Sequence, residues 1–296
     1  MAHWRNQIVA VMIAIVSPAL AHPGRGIVVD EQQRVYVADA VRSVVWRVDP
    51  DGRVSPAARD VHAHWLSIDA AGRVLADDLH YDAANDAYPR GLVRLSDSGP
   101  PEQIIEKRPD PHGLDAGAFC ATPDGLAIAR ESTHTIERRA GADVRGSIPL
   151  SASEKTVNAI TCTDDASLLA VRGREVLRIR PDNQVAPIAN IPEQTCSAPV
   201  SGLHDLWGVA SNKDGDLFTT DPGCRRVLRL SPSGEVSTVH TATEPWFPTG
   251  VACQGSTLYI LEHGLEGEQN LGPRVTILEP GKPTRVLATI TDQPDR

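Results

Sequence analysis

The chain lacks two features that would place it in a broad functional class, a basic excess and a long apolar segment. Lys and Arg number 29 against 38 Asp and Glu, so the formal net charge is −9. A protein that neutralises nucleic-acid phosphates needs a basic surface, and no basic cluster interrupts this acidic chain. No apolar run approaches the roughly 20 residues of a membrane-spanning helix. We therefore expect no nucleic-acid partner and no membrane span in the mature chain.

Markers of low complexity and of two common catalytic motifs are also scarce. Gly and Pro number 23 each among 296 residues, and together they stay well below the roughly 25 to 30% typical of low-complexity chains. Hydrophobic residues make up 41% of the chain, which is enough for a folded core. The sequence contains no Gly-x-Ser-x-Gly elbow and no phosphate-binding Gly loop. These absences leave a globular protein without a standard hydrolase or nucleotide signature.

Residues 1–21 have the pattern of a secretory signal peptide. Arg5 precedes the apolar run 8–16, and Pro18 and the small-x-small sequence Ala19-Leu20-Ala21 follow. The apolar run is too short for a span of roughly 20 residues, although an N-terminal membrane anchor is the alternative. We expect cleavage after Ala21 and a mature chain of 22–296. Its location would be periplasmic or secreted, where disulfides persist.

An internal repeat organises the rest of the chain. Residues 26–52 read GIVVDEQQRVYVADAVRSVVWRVDPDG, and residues 208–234 read GVASNKDGDLFTTDPGCRRVLRLSPSG. Both contain a short apolar strand, a turn, a second strand, a third strand and a closing turn with Gly. Weaker copies occur at 65–99, 118–143, 159–183 and 250–282. Six copies in one chain indicate a repeat architecture.

The spacing of the copies predicts the fold. Their first strands begin at Gly26, Trp65, Ala118, Ala159, Gly208 and Gly250. These intervals are close to the roughly 40 to 50 residues of a four-stranded propeller blade, and no sustained helical period lies between them. We predict an all-β fold, a single six-bladed β-propeller of four-stranded antiparallel blades over 22–296. An open β-sandwich is the alternative, but only ring closure hides the edge strands of six regular copies.

The blocks that start at Gly26, Trp65 and Gly208 resemble NHL repeats and the six-bladed propellers of the SMP-30/gluconolactonase superfamily. The resemblance covers almost the whole predicted mature chain. That superfamily includes metal-dependent lactonases, amidating lyases, strictosidine-synthase-like proteins and noncatalytic scaffolds. The resemblance therefore implies the fold but does not select one activity.

Candidate functional residues gather at the end of the predicted central channel where the inner strands begin. The residues one position before the predicted strands are Arg25, His64, Gly117, Asn158, Trp207 and Thr249. The resemblance implies a metal-binding role for Asn158, because lactonases of the superfamily place an Asn there. It also implies that His64 corresponds to a metal-binding His of the amidating lyases. A turn-forming Asn and a solvated His are the alternatives.

Other residues near this end extend the predicted site. His112 and His204 complete the predicted ligands of a divalent ion such as Ca, Zn or Mn, with Arg25 and Asp205 as catalytic residues. The lactonase pattern has a Glu in the first blade, where this chain offers Arg25 and Gly24. Asp205 lies two positions earlier than the lactonase Asp, and Trp207 stands in its place.

Two predicted loops, 77–90 and 262–273, are longer than hairpins require and should project over the channel end. In the first loop we predict His80 and Tyr81 as substrate-binding residues, together with Trp207 at the channel end. The alternatives are a surface insertion for the loop and a packing role for the Trp.

Five cysteines in a secreted chain leave at least one unpaired. Cys196 and Cys224 should lie on the same face of blade five, and we predict a disulfide between them. Cys120, Cys162 and Cys253 fall in inner strands, where a buried thiol acts as a small apolar residue. No nearby His in the same blade would lower a thiol pKa, so we expect no catalytic thiol.

Two functional hypotheses follow. The first is a divalent-metal-dependent hydrolase of lactones or related esters, or a lyase, in which Arg25 steadies a developing oxyanion. The second is a noncatalytic NHL-type propeller that binds a protein or a small molecule through its loop face. Metal binding that depends on Asn158 and His64 would separate the two.

Overall fold

The computed structural model describes residues 23–80, 82–84, 89–96, 99–108, 116–130, 133–141, 143–151, 155–193, 196, 199–200, 202–267 and 269–291. Within these residues the chain forms 24 β-strands and one short 3-10 helix, Pro222–Cys224. The strands make six sheets, each of four consecutive antiparallel strands. This arrangement confirms the predicted six-bladed propeller. No helix in the described part is both long and apolar enough to span a membrane.

The first three blades have the following strands. Blade 1 contains β1 (Ile27–Val29), β2 (Val35–Asp39), β3 (Val44–Val48) and β4 (Val54–Arg59). Blade 2 contains β5 (Leu66–Ile68), β6 (Val74–Leu79), β7 (Arg90–Arg94) and β8 (Glu102–Arg108). Blade 3 contains β9 (Ala116–Thr122), β10 (Gly125–Arg130), β11 (Thr135–Ala140) and β12 (Asp143–Pro149).

The other three blades repeat this order. Blade 4 contains β13 (Val157–Cys162), β14 (Leu168–Arg172), β15 (Glu175–Ile179) and β16 (Val185–Asn190). Blade 5 contains β17 (Val209–Ser211), β18 (Leu217–Asp221), β19 (Arg226–Leu230) and β20 (Val236–Thr241). Blade 6 contains β21 (Trp246–Gln254), β22 (Thr257–Glu266), β23 (Gln269–Leu278) and β24 (Arg285–Thr289).

The apolar core lies between the blades. Six clusters of buried side chains occupy the six interfaces between successive blades, including the interface between blades 6 and 1. Each sheet therefore buries both faces. This explains why the inner strands are continuous apolar runs and do not alternate between apolar and polar residues. The inner strands of neighbouring blades contact one another around the whole ring.

Among the described residues, blades 1 and 6 each consist of four consecutive strands, so no strand passes from one end of the chain into the blade at the other end. Blades 6 and 1 are joined by side chains, since Thr249 Oγ1 donates to Gly24 O at 2.9 Å and Gln254 Nε2 donates to Asp30 O at 2.6 Å. Glycine is required at this junction. A Cβ atom on Gly250 would lie 2.2 Å from Arg25 O, far inside van der Waals contact.

A repeated backbone hydrogen bond fixes the turns at one end of the ring. The carbonyl of the residue before the third strand accepts from the linker that follows the fourth strand in blades 1, 3, 4 and 5. In three of these turns a residue other than Gly adopts a left-handed conformation, namely Ser43 (φ 53°), His134 (φ 50°) and Arg225 (φ 54°). The linker leads directly to the next inner strand, so each turn lies beside the start of the neighbouring blade.

Candidate functional site

A central channel runs along the inner strands. Its cavity of about 350 Å³ is lined by strands from all six blades, including the three thiols of Cys120, Cys162 and Cys253. Cys120 is buried as predicted, whereas the other two are half-buried. Burial raises the pKa of Cys120 well above its usual value and that of Cys253 to about 12. Burial thus disfavours the nucleophilic thiolate form of Cys120 and Cys253, and the absence of a catalytic thiol stays a prediction.

At one end of the channel, which we call the mouth, the side chains of Arg25, Trp65, Asn158 and Trp207 meet. The Arg25 guanidinium lies over the Trp207 ring, 4.2 Å from its centroid, and 5.6 Å from the Trp65 centroid. Its Nη1 donates to Asn158 Oδ1 at 3.4 Å. Blades 1 and 4 are opposite one another in a six-membered ring, so the Arg25 side chain extends across the opening. Cation–π contacts hold its charge there.

Asn158 is 8% exposed and its amide is engaged at both ends. Nδ2 donates to Leu206 O at 3.1 Å, while Oδ1 accepts from Arg25 and from Thr156 Oγ1. The residue lies within β13 rather than in a turn. It connects blade 4 to the linker that enters blade 5 and to the cation at the mouth.

Two predicted site residues on the linker into blade 5 have ion-pair partners of their own. The ring of His204 is exposed, and its Nδ1 is 2.8 Å from Glu193 Oε1. Asp205 Oδ1 accepts from Lys155 Nζ at 3.2 Å. The catalytic role of Asp205 stays a prediction. His112 lies outside the described residues.

The described residues do not fit a divalent metal ion at the mouth. No group of three or more His, Cys, Asp or Glu among them is arranged to hold one. The guanidinium of Arg25 also lies beside the Oδ1 atom that the prediction assigned to the ion. Two positive charges at this separation repel one another strongly outside bulk water. We therefore assign no chemical step to a metal.

Blade 2 contributes a polar cluster next to the mouth. The predicted loop 77–90 is shorter than expected, because Asp77 and Asp78 are paired within the sheet as the end of β6 and Arg90 begins β7. Asp77 is buried and its Oδ1 accepts from the backbone N–H of His64 and of Trp65 at 2.8 and 2.7 Å. Burial raises its pKa. These bonds fix the backbone at the start of β5, and with it the mouth.

The predicted substrate-binding residues have different surroundings. His80 is exposed, and its Nδ1 lies 3.6 Å from Asp78 Oδ1. The other carboxylate oxygen of Asp78, Oδ2, pairs with Lys107 Nζ at 2.5 Å. Tyr81 lies outside the described residues. Trp207 is buried beneath Arg25, so a ligand would meet the guanidinium before the indole. The substrate roles of all three remain predictions.

A second polar contact on this face escaped the sequence analysis. Ser43 Oγ lies 3.4 Å from His62 Nδ1. The rings of His62 and His64 have centroids 5.0 Å apart, and the carbonyl of His64 accepts from the backbone N–H of Arg25 at 3.0 Å. The Ser43–His62 contact is therefore linked to the mouth through His64. Burial lowers the pKa of His62, and the charge of His80 lowers it further, while Asp78 opposes both. Ser43 belongs to a turn of blade 1, and no local motif signals its contact with blade 2.

Blade 6 rises further on the mouth side than the other blades. The second predicted loop, 262–273, is largely strand, because β22 and β23 are ten residues long each and stay paired as far as Glu266 and Gln269. The segment is thus a continuation of the sheet rather than a loop, and its position over the channel end stays a prediction.

The predicted disulfide is present. Cys196, in the linker that enters blade 5, is bonded to Cys224 in the 3-10 helix of that blade, with Cα atoms 5.5 Å apart. The bond lies on the same face of the ring as the mouth. It ties the linker to the blade that carries Trp207.

Comparison with known proteins supports the fold. No family model and no curated protein matches the chain. Among solved structures, a gluconolactonase from Xanthomonas campestris has a TM-score of 0.61 at 14% identity, with 88% of each chain covered. Virginiamycin B lyase from Staphylococcus aureus gives 0.57 at 17% identity, covering 91% of this chain and 85% of the lyase. The PQQ-bound aldose sugar dehydrogenase from Streptomyces coelicolor gives 0.56 at 14% identity, covering 86% and 94%.

At these identities the likeness concerns the fold and not the activity. The neighbours include lactone-cleaving, lyase and dehydrogenase propellers, which use one scaffold for different chemistry. The chain is a six-bladed β-propeller with four-stranded blades, and its structural neighbours are gluconolactonase-like and related propeller proteins.

Proposed function

We propose that the protein binds a small molecule with a carboxylate or carbonyl oxygen at the mouth, through the guanidinium of Arg25. The observation that carries this proposal is the position of Arg25 across the opening, over Trp207 and beside Asn158. A guanidinium is a planar fork of donors suited to carboxylate and carbonyl oxygens, and it stays charged at every physiological pH. The indole beneath it limits the orientations that it can adopt.

Lactones, related esters and their ring-opened acids are the ligand class to test first. The structural neighbours include a gluconolactonase and a lyase, which supports small molecules of this kind over a macromolecule. The metal-dependent hydrolysis suggested by the sequence has less support, because no group of three or more His, Cys, Asp or Glu among the described residues is arranged to hold an ion. Binding at Arg25 needs no metal ion.

Substitution of Arg25 tests this proposal. We expect Arg25→Gln to weaken binding of a ring-opened acid at least about tenfold, because a charged hydrogen bond contributes about 1.5–3 kcal/mol. Isothermal titration calorimetry with gluconate and gluconolactone would measure the change. Arg285→Gln is the matched control, since Arg285 lies on the exposed outer strand of blade 6. Equal affinities of wild type and Arg25→Gln would contradict the proposal.

We further propose that the mature chain, 22–296, is exported to the periplasm or the extracellular space. The Cys196–Cys224 disulfide supports an oxidising compartment, and the predicted signal peptide supports export. We expect the N-terminal residue of protein expressed from the full gene to be His22. Intact-mass and N-terminal sequencing of the periplasmic fraction would check this, and an uncleaved cytoplasmic product would contradict it.

A further inference from the structure

Ser43 occupies a fixed position in the turn between β2 and β3. Its backbone is left-handed, with φ of 53°. Its carbonyl accepts from Val61 N at 3.0 Å, and its N–H donates to Ala40 O at 3.3 Å. The Val61 bond is the blade 1 copy of the hydrogen bond that joins this turn to the following linker in most blades. The hydroxyl is thus held beside the linker into blade 2.

His62, the next residue of that linker, is fixed from the other side. Its backbone N–H donates to Asp78 Oδ1 at 3.3 Å, and its carbonyl accepts from Leu79 N at 3.1 Å. Both bonds come from β6 of blade 2. The imidazole and the hydroxyl are therefore positioned by two different blades, and their 3.4 Å contact does not depend on a flexible loop.

The junction that holds Ser43 and His62 recurs in two other blades. The repeated backbone bond joins His134 to Leu150 in blade 3 and Arg225 to Ala242 in blade 5. In blade 3 the residue at the position of His62 is Ser151, and its hydroxyl accepts from Arg172 Nη2 at 3.0 Å. The repeat thus supplies a rigid junction, and in blade 1 the sequence has placed a nucleophile type and a base type on its two sides.

We propose that Ser43 and His62 form a nucleophile–base pair that hydrolyses esters or lactones bound at the mouth. An imidazole that accepts a hydrogen bond from a serine hydroxyl is the minimal arrangement for acyl transfer. The carboxylate of Asp78, fixed beside the His62 backbone, favours the positive charge that forms on the ring and so opposes part of the effect of burial. This activity rests on the proposed function in one respect, because the substrate must bind at the mouth.

The proposed hydrolysis has two half-reactions, acylation of Ser43 and hydrolysis of the acyl-serine. Ser43 Oγ attacks the carbonyl carbon while its proton passes to His62 Nδ1, and the carbonyl–alkoxy bond then breaks as the leaving oxygen takes that proton. Water next attacks the acyl-serine, gives its proton to His62, and Ser43 Oγ leaves and recovers it. The net reaction is an ester plus water to an acid plus an alcohol. For a lactone, both groups stay in one molecule.

Covalent labelling tests the nucleophile directly. A fluorophosphonate probe, which loses fluoride when a serine oxygen attacks its phosphorus, should label wild-type protein at Ser43, as mapped by peptide mass spectrometry. Ser43→Gly is the variant of choice, because glycine accepts a left-handed φ without strain. We expect labelling at this position to disappear in Ser43→Gly and to fall at least tenfold in His62→Gln. Ser233→Ala, in the exposed turn after β19, is the control.

Hydrolysis of p-nitrophenyl acetate and δ-valerolactone gives the second readout. We expect the rate to fall at least a hundredfold in Ser43→Gly and to stay unchanged in Ser233→Ala. Absence of both hydrolysis and labelling in wild type, or equal rates in Ser43→Gly, would overturn the inference. Because the fluorophosphonate group carries neither a carboxylate nor a carbonyl oxygen, labelling of Ser43 in Arg25→Gln would separate failure of the binding proposal from failure of this one.

Discussion

Replacing Glu262 by Ala should lower the free energy of unfolding by about 3–5 kcal/mol, because it leaves buried charged partners without their carboxylate. Glu262 is 0% exposed in β22. It accepts from His240 Nε2 at 2.9 Å, from Arg274 Nε at 2.7 Å and from Thr276 Oγ1 at 2.6 Å. Burial raises the pKa of Glu262, but these hydrogen bonds outweigh burial and hold the pKa below its usual value.

The effect should extend across a blade interface. His240 lies in β20 of blade 5, so the carboxylate of blade 6 joins two sheets. Arg274 also stacks over Trp246, with its Cζ atom 4.2 Å from the ring centroid. Loss of the carboxylate would leave this guanidinium buried against an aromatic ring without its anion.

Urea unfolding followed by circular dichroism measures the loss. Glu102→Ala is the matched control, because Glu102 pairs with Arg94 at 2.8 Å on the surface, and exposed ion pairs contribute only about 0–1 kcal/mol. Glu262→Gln, which keeps an acceptor and loses the charge, should give an intermediate value. Similar losses for Glu262→Ala and Glu102→Ala would show that the buried network adds nothing.

Stability should also fall by about 3 kcal/mol between pH 6.5 and pH 4 through His263, the residue that follows Glu262. His263 is 1% exposed, and burial lowers its pKa from 6.5 to about 4. Asp39 opposes this shift, while Arg42 adds to it. In this window the unfolded chain binds a proton at this ring and the folded chain does not. The folded state therefore loses relative stability as the pH falls.

Unfolding curves at several pH values, for wild type and His263→Gln, isolate this contribution. The two free energies should converge as the pH falls from 6.5 to 4, because only wild type carries the titrating ring. Glu262 adds its own loss at acid pH in both proteins, since its folded pKa is depressed. If the variant does not fold, the NMR titration of the wild-type His263 ring reports the same pKa. A value near 6.5 would contradict the prediction.

The sequence predicted the ring because its signals are local. Each blade carries its own apolar strands and its own Asp or Gly turns, so the six copies could be recognised without knowledge of their contacts. Five of the six predicted inner-strand starts agree with the structure to within two residues; β21 begins earlier, at Trp246 instead of Gly250. This extension and the long hairpin of blade 6 arise because β21, β22 and β23 pair beyond the repeat.

The contacts at the mouth could not be predicted in the same way. Arg25 and Asn158 are 133 residues apart, and they meet only because blades 1 and 4 face one another across the channel. Ser43 and His62 are separated by 19 residues, and two different blades align them. The sequence placed polar residues at the channel end, but it could not show that a guanidinium would lie against the Asn158 oxygen.

Repeat spacing, strand patterning and turn residues determined by themselves the fold class, the number of blades and the face on which the polar residues gather. They also predicted the Cys196–Cys224 disulfide, since both cysteines fall at one end of one blade. Ring closure alone decided which side chains touch across the channel and between blades. A strand forms from short-range preferences, whereas the pairing of Arg25 with Asn158 depends on the accumulated geometry of three blades packed in sequence.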